Sequence, residues 1–199
     1  TNGYGLLSLL TNAVEILRSI VGFSIETSGV KNISLYHKNN ETEKLTFEYS
    51  LLLRIAFFSG IAGVFLAIIF APLMSYLVFD TTSKWFLFVF LAIIILFKQI
   101  TNGNSAVLQG FEHYTSLAKI TIFSSLFSLL FTLPLLYFYR FDGIVPALIA
   151  TAFLNFLVSK YYISNIKIKP KKIPISEVII KGKELFLFGG LLTISGYIP

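Results

Sequence analysis

Apolar and polar positions along this chain fall into long blocks rather than into alternation. Stretches of about 20 mostly apolar residues, the length a helix needs to cross a bilayer, run from Gly5 to Ile25, Leu51 to Val78, Trp85 to Gly103, Ile120 to Phe138 and Gly143 to Tyr162, and another starts at Leu185. Each is too long for a strand of a membrane barrel, which takes about 9 to 11 residues with alternating faces. The polar segments between them are of two kinds. "DTTSK" and "YRFD" are tight, whereas 26–50, 104–119 and 163–184 are longer and more polar. The pattern predicts an all-α, polytopic membrane helical bundle with five complete transmembrane helices plus the start of a sixth.

Composition agrees: 55% hydrophobic and 13% charged residues belong to a chain whose solvent is lipid. Cysteine is absent, which excludes disulfides and thiolate metal sites. The N-terminus lacks the basic, apolar and small-residue succession of a cleaved signal peptide. Because the chain opens on Thr1 and stops inside an apolar stretch at Pro199, the expectation is a piece of a longer polytopic protein.

Loop charge sets the orientation, since cytoplasmic loops carry the excess of Lys and Arg. Segments 26–50, 104–119 and 163–184 hold ten (Lys31, Lys38, Lys44, Lys119, Lys167, Lys169, Lys171, Lys172, Lys181 and Lys183), against two, Lys84 and Arg140, in the tight loops. The longer segments are therefore expected inside, and they alternate with the tight ones as the span assignment requires. Trp85 and Phe86, and Tyr137 to Phe141, mark the outer interface. Within 26–50, "KNNETEK" reads as a solvated turn between helices that extend beyond the membrane. Segment 163–184 joins six lysines to two prolines and an amphipathic "ISEVIIKG". It reads as a linker along the inner surface, attracted to anionic membrane lipid rather than to nucleic acid.

Four further cations lie in or at the edge of spans, all in the cytoplasmic half: Arg18, Arg54, Lys98 and Lys160, with Lys119 at the inner entrance of the fourth span. Long basic side chains near a helix end can snorkel to the interface. Arg18 and Lys98 are deep for that, and Glu15, three residues before Arg18, can pair with it on one helix face. A charge within a bilayer costs about 2.5 to 3.5 kcal/mol even on lenient scales, so such residues usually face a bundle interior or a watery cavity. Arg18, Arg54, Lys98 and Lys119 are thus candidates to line a cationic vestibule open to the cytoplasm, whose natural occupant is a phosphate. Glu15, Gln99, Asn102 and Asn104 are candidate polar lining. The stretch "KQITNGNS", with Gly103 loosening it, can equally be a fraying inner terminus.

Small and kinking residues suggest close packing with hinges. Gly60 and Gly63 fall on adjacent turns, and Ser124, Ser125 and Ser128 should let the fourth span approach a neighbour. Pro134 and Pro146 are expected to interrupt spans four and five. Catalytic machinery is hard to assemble: His37 and His113 lack an acid at metal-ligand or acyltransferase spacing, and Asp80 and Asp142 are isolated. No nucleophile elbow or phosphate-cradling glycine loop occurs. An enzyme is therefore not expected.

"GYGLLSLLTN" (3–12), "TSGVKNIS" (27–34), "AVLQGFEHYTSLAKI" (106–120) and "LPLLYFYRFDGIVPALIAT" (133–151) resemble, in order and spacing, the O-antigen and polysaccharide flippases of the multidrug, oligosaccharidyl-lipid and polysaccharide exporter superfamily. The resemblance covers nearly the whole chain and implies part of a two-lobe, MATE-like transporter. Residues 1–166 would be an N-terminal lobe lacking its first helix, 167–184 the basic cytoplasmic linker between lobes, and 185–199 the start of the second lobe. The implied activity is translocation of an undecaprenyl-diphosphate-linked oligosaccharide across the bacterial inner membrane by alternating access, with no cofactor. The implied partners are that lipid-linked substrate, membrane lipids and a polysaccharide polymerase. A cation-coupled drug or metabolite antiporter of the same superfamily is the alternative, and a membrane enzyme of polysaccharide assembly a more distant one. An antiporter site would favour buried acids, and Glu15 is the only deep one.

Overall fold

A computed structural model of the chain describes residues 3–22, 25–166, 168 and 170–183. The elements are α1 (Gly3–Gly22), α2 (Ile25–Lys38), α3 (Thr42–Phe79), α4 (Trp85–Gly110), α5 (Tyr114–Tyr139), a 3-10 turn (Arg140–Gly143) and α6 (Ile144–Ser164). Residues 175–183 are again helical, and no strand occurs among the described residues. The expected start of a second lobe, 185–199, lies outside the described residues, as do Lys167 and Lys169.

Four helices, α3, α4, α5 and α6, are long and apolar enough to cross a membrane. The predicted first span corresponds to α1, which ends at Gly22 and carries Glu15 and Arg18; it is not among the four. The helices outrun the apolar blocks at the end of the bundle that carries the longer polar segments. With 38 residues, α3 is about 57 Å long at ~1.5 Å per residue, against ~30 Å of hydrocarbon. Its first turns therefore project, and α2 packs on them as the other arm of a hairpin. Asn40, with φ 58°, makes the turn, a conformation that Asn tolerates better than most residues. "KNNETEK" is thus a tight turn between helices, as the sequence implied.

Two expectations need correction here. The predicted inner loop 104–119 is mostly helix: α4 runs on to Gly110, and only 111–113 connect it to α5. Gly103 therefore does not loosen a helix end. A Cβ on it would lie 2.4 Å from Ala56 Cβ, so glycine is what lets the backbones of α3 and α4 approach there. Gly60 serves the same crossing, since a Cβ on it would lie 2.9 Å from Leu96 Cδ1. Gly60, Gly63, Ala67, Ala71 and Ser75 form a buried small-residue stripe along α3. Gly110 repeats the device against Ile33 of α2, where the Cβ distance would be 2.7 Å.

The prolines and one of the three serines, Ser125, also behave differently from expectation. Pro146 is the third residue of α6, where the missing N–H has no helical acceptor in any case, so it starts the helix rather than breaking it. Pro134 lies inside α5, which continues to Tyr139. Ser125 is exposed and its hydroxyl donates to the Thr121 carbonyl of its own helix at 2.9 Å, so it mediates no close approach.

At the centre is α4, which packs against α1, α2, α3, α5 and α6. One core cluster joins α1, α3, α4 and α6 toward the end with the tight turns through Leu10, Ala71, Phe88, Leu91 and Ile144. A second, the inner cluster on the loop-charge expectation, lies at the opposite end and joins α2, α3, α4 and α6 to the linker through Ile33, Leu52, Val107, Ile163, Ile173 and Val178.

Candidate functional site

The sequence places two deep cations, Arg18 and Lys98, on different helices, and packing of α1 on α4 brings them together around one acid. Glu15 accepts from the Arg18 guanidinium Nε at 2.7 Å on one oxygen and from Lys98 Nζ on the other. The pair with Arg18 is the i, i+3 contact expected from spacing. The link to Lys98 ties α1 to α4 across 83 residues of sequence. With all three groups ionised, the cluster carries a net charge of +1.

These groups are neither buried nor free in water. Side-chain exposure is 22% for Arg18, 31% for Lys98 and 41% for Glu15, so a small anion can reach them. Mutual pairing offsets part of the cost of holding charge among apolar helices. An arriving phosphate could compete with Glu15 for either cation, while Glu15 holds them in place when no anion is bound.

The remaining candidates do not join this cluster. Arg54 is half-buried, and its Nη1 donates to the backbone carbonyl of Ile173 in the linker. In the antiparallel α3–α4 register, Ala56 meets Gly103 and Gly60 meets Gln99. Arg54 is therefore level with residue 105, about 10 Å along the helix axis from Lys98. Lys119 is exposed in the second turn of α5.

The polar stretch of α4 distributes its side chains among several neighbours. Gln99 is 2% exposed and lies against Gly60 of α3. Its Oε1 has no hydrogen-bond partner among the described residues. Asn104 is buried, and its Nδ2 donates to Ser159 Oγ of α6 at 3.0 Å; that hydroxyl in turn donates to the Phe156 carbonyl at 2.9 Å. Asn102 is half-buried. Gln99 and Asn104 thus sit inside helix–helix contacts rather than on an open wall.

Sequence reasoning found the Arg18–Glu15 pair but missed its third member. The signal was available, because two deep cations and a single deep acid invite a shared ion pair. It also missed buried Glu48 of α3, which accepts from Asn32 Nδ2 of α2. No local signal announces the Arg54–Ile173 bond, whose ends are 119 residues apart. Comparison with protein-family models, with curated proteins and with solved structures finds no match to this chain.

Proposed function

We propose that the chain is the N-terminal lobe of a bacterial inner-membrane flippase, with α1 serving as a fifth span, that moves an undecaprenyl-diphosphate-linked oligosaccharide to the outer leaflet by alternating access. The single observation that carries this reading is the half-exposed, net-positive Arg18–Glu15–Lys98 cluster set among apolar helices. A purely structural bundle has no need of three such charges, because apolar side chains of similar volume would pack there at lower cost. A diphosphate suits the chemistry of the site, since guanidinium and ammonium groups are its usual partners and both can exchange Glu15 for a phosphate oxygen. Close α3–α4 packing through Gly60 and Gly103 provides a rigid wall against which a second lobe could rock.

The test is made in the full-length protein. Arg18→Gln and Lys98→Gln should each leave membrane abundance high while lipid-linked oligosaccharide accumulates on the cytoplasmic leaflet. Normal surface polysaccharide in both variants would sink the proposal. The antiporter reading rests on a different member of the same cluster, the carboxylate of Glu15. If Glu15→Gln abolishes cation-driven exchange while the Arg18 and Lys98 variants keep it, the antiporter becomes the better reading.

A further inference from the structure

The linker is docked on one side and bare on the other. Ile173 and Val178 are 4% and 5% exposed within the inner core cluster. Two backbone bonds fix its register: the Lys171 N–H donates to Ser50 Oγ at 2.7 Å, and the Ile173 carbonyl accepts from Arg54. A Cβ on Gly182 would lie 3.6 Å from Ile55 Cδ1, and Lys181 contributes a favourable charge interaction to Glu48. The segment is thereby held along α3 at the level of Ser50 to Ile55, where the apolar run of α3 begins.

On the opposite side, Ile175, Ile179 and Ile180 are 59%, 65% and 61% exposed. In a helix these three fall within one arc, with Lys183 between them. Lys171 and Lys172 are exposed just before the helix, and Glu177 is the only acid between 170 and 183. Three exposed isoleucines with lysines before and after them in sequence, level with the start of the apolar run of α3, have the composition of an interfacial amphipathic segment.

We propose that residues 170–183 are an anionic-lipid-binding strap: Ile175, Ile179 and Ile180 enter the inner leaflet, Lys171, Lys172 and Lys183 engage acidic headgroups, and Arg54 is the positioning residue that keeps the strap on α3. Charge complementarity selects the occupant, because an acidic bilayer surface offers hydrocarbon to the isoleucines and anionic headgroups to the lysines at once, on the side of the membrane where the excess of lysine in this segment is expected to lie. The inference is independent of what, if anything, the bundle transports.

The chain contains no cysteine, so Ile179→Cys supplies one site for a nitroxide label, with Ile180→Cys as a second site should the first disturb folding. The protein is reconstituted in vesicles of phosphatidylcholine alone or mixed with phosphatidylglycerol. Collision with oxygen, which concentrates in hydrocarbon, is compared with collision with a water-soluble nickel chelate. With phosphatidylglycerol, the label should be open to oxygen and shielded from nickel. Lys171→Gln, Lys172→Gln and Lys183→Gln combined should shift the balance between seated and lifted straps by roughly a hundredfold, at about 1 kcal/mol per charge. Arg54→Gln should raise nickel access at residue 179 as well. Equal nickel access in both lipids overturns the proposal. So does shielding from both reagents, which would mean protein covers the face, and so does shielding that survives the triple neutralisation.

Discussion

Two neighbouring helices of this molecule, α4 and α5, are each 26 residues long and equally apolar, yet 39% of α4's most apolar stretch is buried and only 6% of α5's. Hydropathy gives both the same membrane-spanning character and says nothing of their different places. What separates them is where the small and polar residues lie. In α4, Gly103 and Gly110 admit α3 and α2, Lys98 reaches α1, and Asn104 reaches α6. The hydroxyls of Thr121 and Ser125 in α5 turn back to their own helix. Its flank offers Ile122, Leu126, Leu129 and Leu133 to the surroundings. In lipid, where apolar contact alone does not drive helices together, the helix with close-approach glycines and cross-helix hydrogen bonds becomes the centre.

The largest effect is expected at the tightest crossing. Gly103→Ala should lower folding stability by ~2 kcal/mol, because its new Cβ would meet Ala56 Cβ well inside contact distance and neither can rotate away. Gly103→Leu should cost more. Ser125→Leu, at an exposed site on α5, should stay within ~0.5 kcal/mol. Equilibrium unfolding in mixed micelles measures all three, and Ala56→Gly should restore part of what Gly103→Ala loses. Equal losses at residues 103 and 125 would break the comparison between the helices.

Next comes the charge that ties α4 to α1. Lys98→Gln leaves Glu15 with one fewer partner, and because the groups are partly exposed the loss should be about 1 to 2 kcal/mol rather than that of a fully buried pair. In that background, Glu15→Gln should cost less than it does alone. A double-mutant cycle with no coupling would show that the cluster adds nothing to the α1–α4 contact.

Much of this arrangement was legible in the sequence at the level of blocks. Long apolar runs, tight turns and longer basic segments follow from hydropathy and composition, and helices from 42 to 79, 85 to 110 and 114 to 139 cover the second, third and fourth predicted spans. Helix ends were less legible. A polar stretch such as 98–105 can leave the membrane and fray, or remain helical and turn inward, and only the facing residues Ala56, Glu15 and Ser159 decide between them. The site was half legible for the same reason. Glu15 and Arg18 share one helix face, so spacing revealed them, whereas Lys98 and Arg54 acquire partners only when distant segments pack.

A smaller effect is expected at the α4–α6 contact. Asn104→Ala and Ser159→Ala remove the two ends of one buried hydrogen bond, and such bonds between membrane helices couple by ~0.6 kcal/mol on average. A double-mutant cycle should return a value of that order. A much larger one would make this bond, rather than the glycine crossing, the reason that α4 sits at the centre.

The smallest effect lies at residues 111–113, which join the two helices. Glu112, with φ 58°, pairs with Lys38 of α2 at 2.8 Å, so the connection is tethered on the α4 side of the bundle. The hydrogen bond to Lys38 holds the Glu112 carboxyl below its usual range, and the same bond raises the Lys38 ammonium above its own. The tether's contribution is therefore complete above the unfolded Glu value, about 4.3, and lost as pH falls through the lower folded value. On the alkaline side it is complete below the unfolded Lys value, about 10.4, and lost as pH rises through the higher folded one. Both groups are exposed, so the change should appear in local opening rather than in global unfolding. Amide hydrogen exchange at 111–113, corrected for intrinsic rates, should be slowest on the plateau between these limits and quicken at the acid edge. Glu112→Gln should remove that acid edge while leaving exchange in the middle of α4 unchanged. If the acid edge persists in the variant, another group controls the connection, and the tether plays no part in holding α4 inward while α5 faces out.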